Sequence, residues 1–399
     1  ALSASLVGSE MCIRDRAIIV RAVEGRDGIP AGFPILLGND MKIIEPAFAF
    51  LLEIAIFPGR SHSRDTLRTY AEHLHDWFDS LEQSNLDWRE AGEETVAAYR
   101  NRMLERPSAH TGRPYARTTI NDRIRSVCRF YDWLHRKGWV SARPFHLADV
   151  RISFARRQAF LSHLSRYGTT ISANVLTVAE YEKLPRPLRV DELRQLFENL
   201  VFPYDLMAEW AVATGLRRLE LCGLSVGQIP DSANLDANRH PLMGVSLFVT
   251  KGDRPRTAYA PLRLIDRTHW YIGEDRAALI RRCQRVFPGY QAPSPLFLNK
   301  RGVGISRARL TAVFSEAFRS AGLDGSLHWL RHTFAMTMLV RLQAHAAVKP
   351  EMNPLKVLQV LLGHSSIQTT AIYLRCVEIH GRELAESLDY LYGSLIDAA

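Results

Sequence analysis

The 399-residue sequence is poor in lysine, in paired cysteines and in long apolar runs. Its five cysteines (Cys12, Cys128, Cys222, Cys283 and Cys376) lie far apart, with no CxxC pair and no histidine cluster at metal-ligand spacing. That argues against a disulfide framework and a zinc site and fits a reducing cytoplasm; no metal or other cofactor is expected. The longest apolar run, Ala47 to Phe57, is broken by Glu53 and is too short to span a bilayer, so no membrane partner is expected. Only seven of the 51 basic residues are lysine, and against 42 acidic residues they leave a net charge of +9. Arginine forks match phosphate geometry, which suggests nucleic acid, although a coding bias towards arginine gives the same bulk composition. An apolar fraction of 47% is that of a folded protein, and the length calls for two or three domains.

Residues 1–16 have neither the apolar centre of a signal peptide nor an amphipathic period, and read as a non-native or disordered leader. Short apolar runs alternating with turn signals make 17–60 a hairpin-like lead-in. From Thr66 the spacing turns helical, with Tyr70, Leu74, Trp77, Phe78 and Leu81 on one face. A second helix is expected over Glu93–Leu104 and a third over Ala116–Arg136. In the third, Ile120, Ile124, Val127, Tyr131 and Leu134 form an apolar stripe, and Arg125, Arg129 and Arg136 project from the opposite face. Between Arg117 and Arg166 there are eleven basic residues against three acidic ones, nearly the whole net charge, so this face is the expected phosphate-backbone surface. Thus 61–145 reads as a helical DNA-binding domain, and 146–187, ending in Leu184-Pro185-Arg186-Pro187, as a linker. The remainder, 188–399, is mostly helical, with a β-hairpin of Val245–Thr250 and Thr257–Leu262 around a polar Gly/Pro turn.

Four segments of this second region carry chemistry. They are Ala213-Thr-Gly-Leu-Arg217-Arg-Leu-Glu220, Thr250-Lys251-Gly252-Asp253, His328-Trp-Leu-Arg331-His332 and Leu362-Gly363-His364 followed by Tyr373. Each alone has a dull explanation as a helix-start arginine, a turn lysine, a surface histidine or a core tyrosine. In this order, with tyrosine nine residues after the last histidine, they resemble the tyrosine recombinase (phage integrase) family. The resemblance covers Arg189 to about Arg375, and more loosely Thr66 to Gly138 as the family's helical core-binding (SAM-like) domain. It implies a mostly α fold with a small β-sheet, joining that domain to a mixed α/β catalytic domain.

Tyrosine attacks a phosphodiester poorly, because with a pKa near 10 only about one phenol in a thousand is ionised at neutral pH. It needs neighbouring cations and a proton acceptor. Arg217 and Arg331 are expected to bind the phosphate oxygens bidentately, with Tyr373 the nucleophile that forms a phosphotyrosyl link and needs neither metal nor ATP. His328, in the first turn of a helix capped by Ser326, is expected to stay neutral and accept a proton. Leu327, Leu330, Phe334 and Met338 form that helix's apolar stripe, with His328 and Arg331 on its flank. The resemblance further implies that Lys251 protonates the 5′-hydroxyl leaving group and that His364 hydrogen-bonds the scissile phosphate. Glu220 is expected to orient Arg217, and His332 to pack or support the site from behind. Leu384, Leu388, Leu391 and Leu395 step along an amphipathic C-terminal helix that closes its own domain or docks on a neighbouring protomer.

The reading is a site-specific DNA recombinase acting on double-stranded DNA as a homotetramer; whether an accessory DNA-bending protein joins it stays open. A type IB topoisomerase and a non-catalytic DNA-binding protein that keeps the fold are the alternatives.

Overall fold

The computed structural model describes residues 4–5, 17–25, 29–56, 64–108, 111–151, 170–174, 176–180, 184–233, 235–236, 239, 242–250, 252, 254–348 and 351–379. The chain divides into two compact units, Ala1–Glu182 and Lys183–Ala399. Most of the expected leader and the whole C-terminal leucine helix fall outside the described residues.

Among the described residues, the first unit has four helices, α1 (Glu45–Ile56), α2 (Arg64–Gln83), α3 (Glu93–Glu105) and α4 (Arg117–Arg136). Strands β1 (Ala4–Ser5), β2 (Ile18–Ala22) and β3 (Pro34–Leu37) form an antiparallel sheet in that order, and β4 (Leu147–Arg151) pairs with β5 (Thr170–Asn174). The anticipated stripe of α4 is fully inside: Ile120, Ile124, Val127, Tyr131 and Leu134 are buried. Helix α1 was not apparent in the sequence, because Phe48, Phe50, Leu51 and Ile54 leave no clear polar face from which to read a period. It belongs to the same core as the rest. Phe50 meets Tyr70, Phe130 and Trp133 edge-on at centroid distances of 5.9, 5.4 and 5.6 Å, and the lead-in hairpin adds Phe33, Ile35 and Leu36.

The segment expected as a linker contains the β4–β5 pair, and the chain beyond β5 is tied down along α4. Asn121 Nδ2 donates to the Val178 carbonyl (2.8 Å) and its Oδ1 accepts from Val178 N (2.8 Å).

The second unit opens with α5 (Val190–Glu198), α6 (Tyr204–Thr214) and the short α7 (Arg218–Gly223). An antiparallel hairpin of β6 (Leu242–Leu247) and β7 (Arg256–Pro261) follows, set a few residues earlier than the sequence pattern suggested. Next come α8 (Leu262–Tyr271), α9 (Ala277–Val286), α10 (Arg307–Ser320), α11 (Leu327–Ala346), α12 (Pro354–Leu362) and α13 (Ile367–Ile379). One core joins α6, both hairpin strands, α8 and α10 through Trp210, Val245, Ala260, Ile265 and Phe314. A second gathers the middle of α11 with α12 and α13 around Phe334, Leu339, Leu358 and Tyr373. Helix α11 packs on α6, α12 and α13, and so links the two cores.

Because Phe50 is 2% exposed among three aromatic rings, Phe50→Ala should cost about 3–5 kcal/mol. Urea unfolding of the variant would show this as a lower midpoint; an unchanged midpoint would mean that α1 lies outside the core.

Candidate active site

The site starts from a buried carboxylate. Gly215 caps the end of helix α6 and α7 begins at Arg218, so Arg217 occupies the N-cap position and Glu220 the first turn. The Glu220 side chain bends back, accepting from Arg217 N (2.7 Å) and Arg217 Nη1 (3.1 Å). Arg256, the first residue of β7, grips the same carboxylate through Nε (3.1 Å) and Nη2 (2.9 Å) and donates Nη1 to the Leu361 carbonyl (2.7 Å). Burial alone would raise the Glu220 pKa, but the hydrogen bonds and charges of Arg256 and Arg217 hold it below the ordinary value. Glu220 thus contacts the arginine it was expected to orient; Arg256 was missed, since nothing in a lone strand arginine reveals its partner.

Arg331 is not on the flank of the apolar stripe. It is 1% exposed, because Thr333, Ala335, Met336 and Leu339 widen the buried face of α11. Its Nη1 donates to the Gly215 carbonyl and its Nη2 to the Leu362 carbonyl (2.7 Å). Both acceptors lie at helix ends closed by glycines in the left-handed region, Gly215 at φ +66° and Gly363 at φ +60°. A Cβ at Gly215 would collide with the Phe334 ring, and one at Gly363 with the Arg256 side chain, so both turns require glycine. Arg217 Nη2 reaches the Gly363 carbonyl (3.4 Å). Burial, reinforced by Arg217, lowers the Arg331 pKa to about 9. Among the described residues three guanidinium groups thus surround one carboxylate. That imbalance favours an anion beside Arg217 and Arg331.

The histidines and the tyrosine complete the cluster. His364, just after the Gly363 turn, accepts from Arg331 Nη2 at its Nε2 (3.0 Å) and faces Thr370 Oγ1 with Nδ1 (2.9 Å). Burial, then the charge of Arg331, pushes its pKa down to about 3. With Nε2 accepting, His364 can donate to a phosphate from that nitrogen only after parting from Arg331. Its ring lies nearly parallel to that of Tyr373 (interplanar angle 9°, centroids 6.4 Å apart). Tyr373, on α13, is 3% exposed. Burial raises its phenol above the ordinary value, against the lowering influence of Arg331.

The phenol oxygen lies 3.0 Å from His332 Nδ1, so the histidine expected to pack or support the site from behind is the one that touches the tyrosine. His328, the anticipated proton acceptor, is exposed one turn earlier on α11, with its ring edge-on to His332 at 4.4 Å. Ser326 does stand at the N-cap of α11, but its side chain makes no capping hydrogen bond. Lys251 lies outside the described residues; nearby in the sequence, Thr250 Oγ1 donates to the Arg254 carbonyl (2.6 Å).

In the first unit, the expected basic face of α4 is partly self-neutralised. Arg125 pairs with Asp122 (3.0 Å) and Glu180 (3.1 Å), whereas Arg129 donates to the Tyr70 hydroxyl (2.6 Å) and Arg136 to the Asp132 carbonyl (3.3 Å). The last two keep their charge uncancelled by those partners. Among the described residues no group of three or more histidines, cysteines or acids is placed to hold a metal ion, and no helix is long and apolar enough to cross a membrane.

Glu220→Gln should destabilise the second unit by about 3–5 kcal/mol in urea unfolding, since it leaves two arginines facing a neutral amide. Stability should also fall as pH drops from about 6.5 to about 4. The unfolded chain takes up protons over that range that His332, held at about 4, and His364, at about 3, refuse in the folded state. The Glu220 contribution, full above the ordinary carboxylate range, is lost at still lower pH. Thermal unfolding across pH 4–7.5 checks this, with His364→Asn expected to give a shallower slope.

Two stretches of the chain match known protein families. Residues 186–378 match the profile of the phage integrase family, and 52–138 that of the phage integrase N-terminal SAM-like domain. The tyrosine recombinase XerC of Halalkalibacterium halodurans is 28% identical over 330 residues, covering 82% of this chain and 90% of its own. The tyrosine recombinase XerD of Bifidobacterium longum is 28% identical over 305 residues, 68% of this chain and 92% of its own. The fold resembles that of the XerH site-specific recombinase in a post-cleavage complex (TM-score 0.51, 18% identity, 81% of this chain and 78% of that one). It also resembles a lambda integrase dimer on a core site (TM-score 0.50, 13% identity, 85% and 96%). The chain belongs to the tyrosine recombinase, or phage integrase, family.

Proposed function

We propose that the protein is a site-specific DNA recombinase that cleaves and rejoins double-stranded DNA through a 3′-phosphotyrosyl intermediate. One observation carries the reading: Arg217, Arg331, His364 and Tyr373 converge around a site with three guanidinium groups and one carboxylate. A scissile phosphate beside Arg217 and Arg331 supplies the missing negative charge, and both forks stabilise its non-bridging oxygens as charge builds.

Tyr373 attacks phosphorus, the 5′-oxygen leaves with a proton from Lys251, and the energy of the broken bond is kept in the phosphotyrosyl ester. His364, once released from Arg331, donates to the phosphate. Arg129 and Arg136 hold the duplex backbone from the first unit, with Arg125 the weaker contributor because of its two carboxylates. Four protomers act together on paired sites, with an accessory DNA-bending protein assisting assembly.

The test is incubation with a pool of nicked suicide duplexes carrying a randomised core. Wild type should give a covalent adduct on a denaturing gel, and sequencing the trapped DNA would give the site. Tyr373→Phe should give none while still shifting the duplex. A shift without any adduct from wild type favours the binding-protein alternative; monomeric relaxation of supercoiled plasmid without site preference favours a topoisomerase. Affinity should also fall steeply with salt as phosphate contacts release counterions, by a smaller exponent in Arg129→Ala.

A further inference from the structure

We propose that His332 is a catalytic residue of this site, the group that takes the phenolic proton as Tyr373 attacks. The inference rests on the recombinase reading and adds to it the identity of the proton acceptor. Sequence pattern assigns that role to His328, but the ring nitrogen that reaches the nucleophilic oxygen is Nδ1 of His332, at 3.0 Å. This is hydrogen-bond distance to the atom that must lose its proton, the geometric requirement for a general base.

The helix explains why His332 and not His328 is in place. Position 331 faces inward on α11, where Arg331 holds the carbonyls of Gly215 and Leu362, and position 332 follows it towards α13. Tyr373 presents its hydroxyl from α13, with its ring 5.7 Å from that of His332. His328 lies on the other side of His332, one turn nearer the start of the helix, and is exposed.

The proton balance closes. The bond from the Tyr373 oxygen to phosphorus forms as the bond from phosphorus to the 5′-oxygen breaks. The phenolic proton moves to His332 Nδ1, giving an imidazolium, and the 5′-oxygen takes a proton from Lys251, which becomes neutral. Rejoining runs the same transfers backwards.

The surroundings tie this base to the presence of a phosphate. His328 and Arg331 on its own helix face His332, Tyr373 and Cys376 approach from α13, His364 stands beside Tyr373, and Arg217 adds its charge from the start of α7. Burial first, then His328 and Arg331, lower the His332 pKa to about 4, which makes it a weak acceptor. A phosphodiester between Arg217 and Arg331 offsets the positive field and strengthens the base where the nucleophile is needed.

The test uses the full chain and the duplex recovered by trapping. His332→Asn keeps an acceptor near the Nδ1 position but cannot hold a proton. Its cleavage rate at pH 7 should fall by about a hundredfold or more, with duplex affinity unchanged, and should rise about tenfold per pH unit where wild type is flat. A duplex with sulfur in place of the bridging 5′-oxygen, whose leaving group needs no proton, should restore Lys251→Ala but not His332→Asn.

An unaltered rate and pH profile in His332→Asn overturns the proposal, as does rescue of that variant by the sulfur substrate or the steep profile appearing in His328→Ala instead. No adduct from wild type overturns the recombinase reading, and this role with it. Nitrogen-15 spectra of the protein without DNA separate the two failures. They should show an unprotonated Nδ1 on His332 that shifts in Tyr373→Phe, and a protonated Nδ1 there would refute the acceptor role alone.

Discussion

Glu220 is the constraint on which the second unit's site depends. Its carboxylate has no exposed surface and serves two arginines from different elements, Arg217 at the start of α7 and Arg256 at the start of β7. A charge buried so completely is tolerated only when paired and hydrogen-bonded, so the hairpin and the α6–α7 turn are fixed relative to each other by the need to satisfy it. Arg256 extends the constraint through the Leu361 carbonyl to the end of α12, from which the chain passes through Gly363 to His364. The position of His364, and through it the packing around Tyr373, thus follows from an ion pair that takes no part in bond making.

Much of this was legible in the sequence, for identifiable reasons. Helix α4 announced itself because it is half buried: Ile120, Ile124 and Val127 recur against polar neighbours, and a one-sided pattern is what periodicity detects. Helix α1 gave no such contrast. Arg217, His328, Arg331, His364 and Tyr373 were singled out because their order and spacing resemble the family's pattern. What spacing does not encode is side-chain direction across elements. The pairing of Arg256 with Glu220 spans 36 positions, and that of His332 with Tyr373 spans 41. Both arise from tertiary packing of short-range elements. The same limit applies to Arg125, whose second carboxylate, Glu180, comes from a stretch that the proline pattern marked as linker.

Charge has two different uses in the two units. On α4, Arg123 turns inward to Asp76, Arg125 is matched by two acids, and Arg129 and Arg136 lean on neutral oxygens, so the helix's arginine count overstates the field it presents. In the second unit Glu220 leaves an excess of positive charge next to low-dielectric packing, where each charge acts more strongly. Bulk composition sees both as arginine and cannot tell them apart.

The two left-handed glycines determine how portable such a site is. Gly215 and Gly363 close the helix ends whose main-chain oxygens hold Arg331 and Arg217, and neither turn leaves room for a side chain. Backbone carbonyls thus share with the Glu220 and His364 side chains the aiming of these guanidinium groups. Transplanting Arg217, Lys251, His328, Arg331, His364 and Tyr373 onto another helical scaffold would carry over the reagents without the jig that aligns them; a working graft must bring both turns.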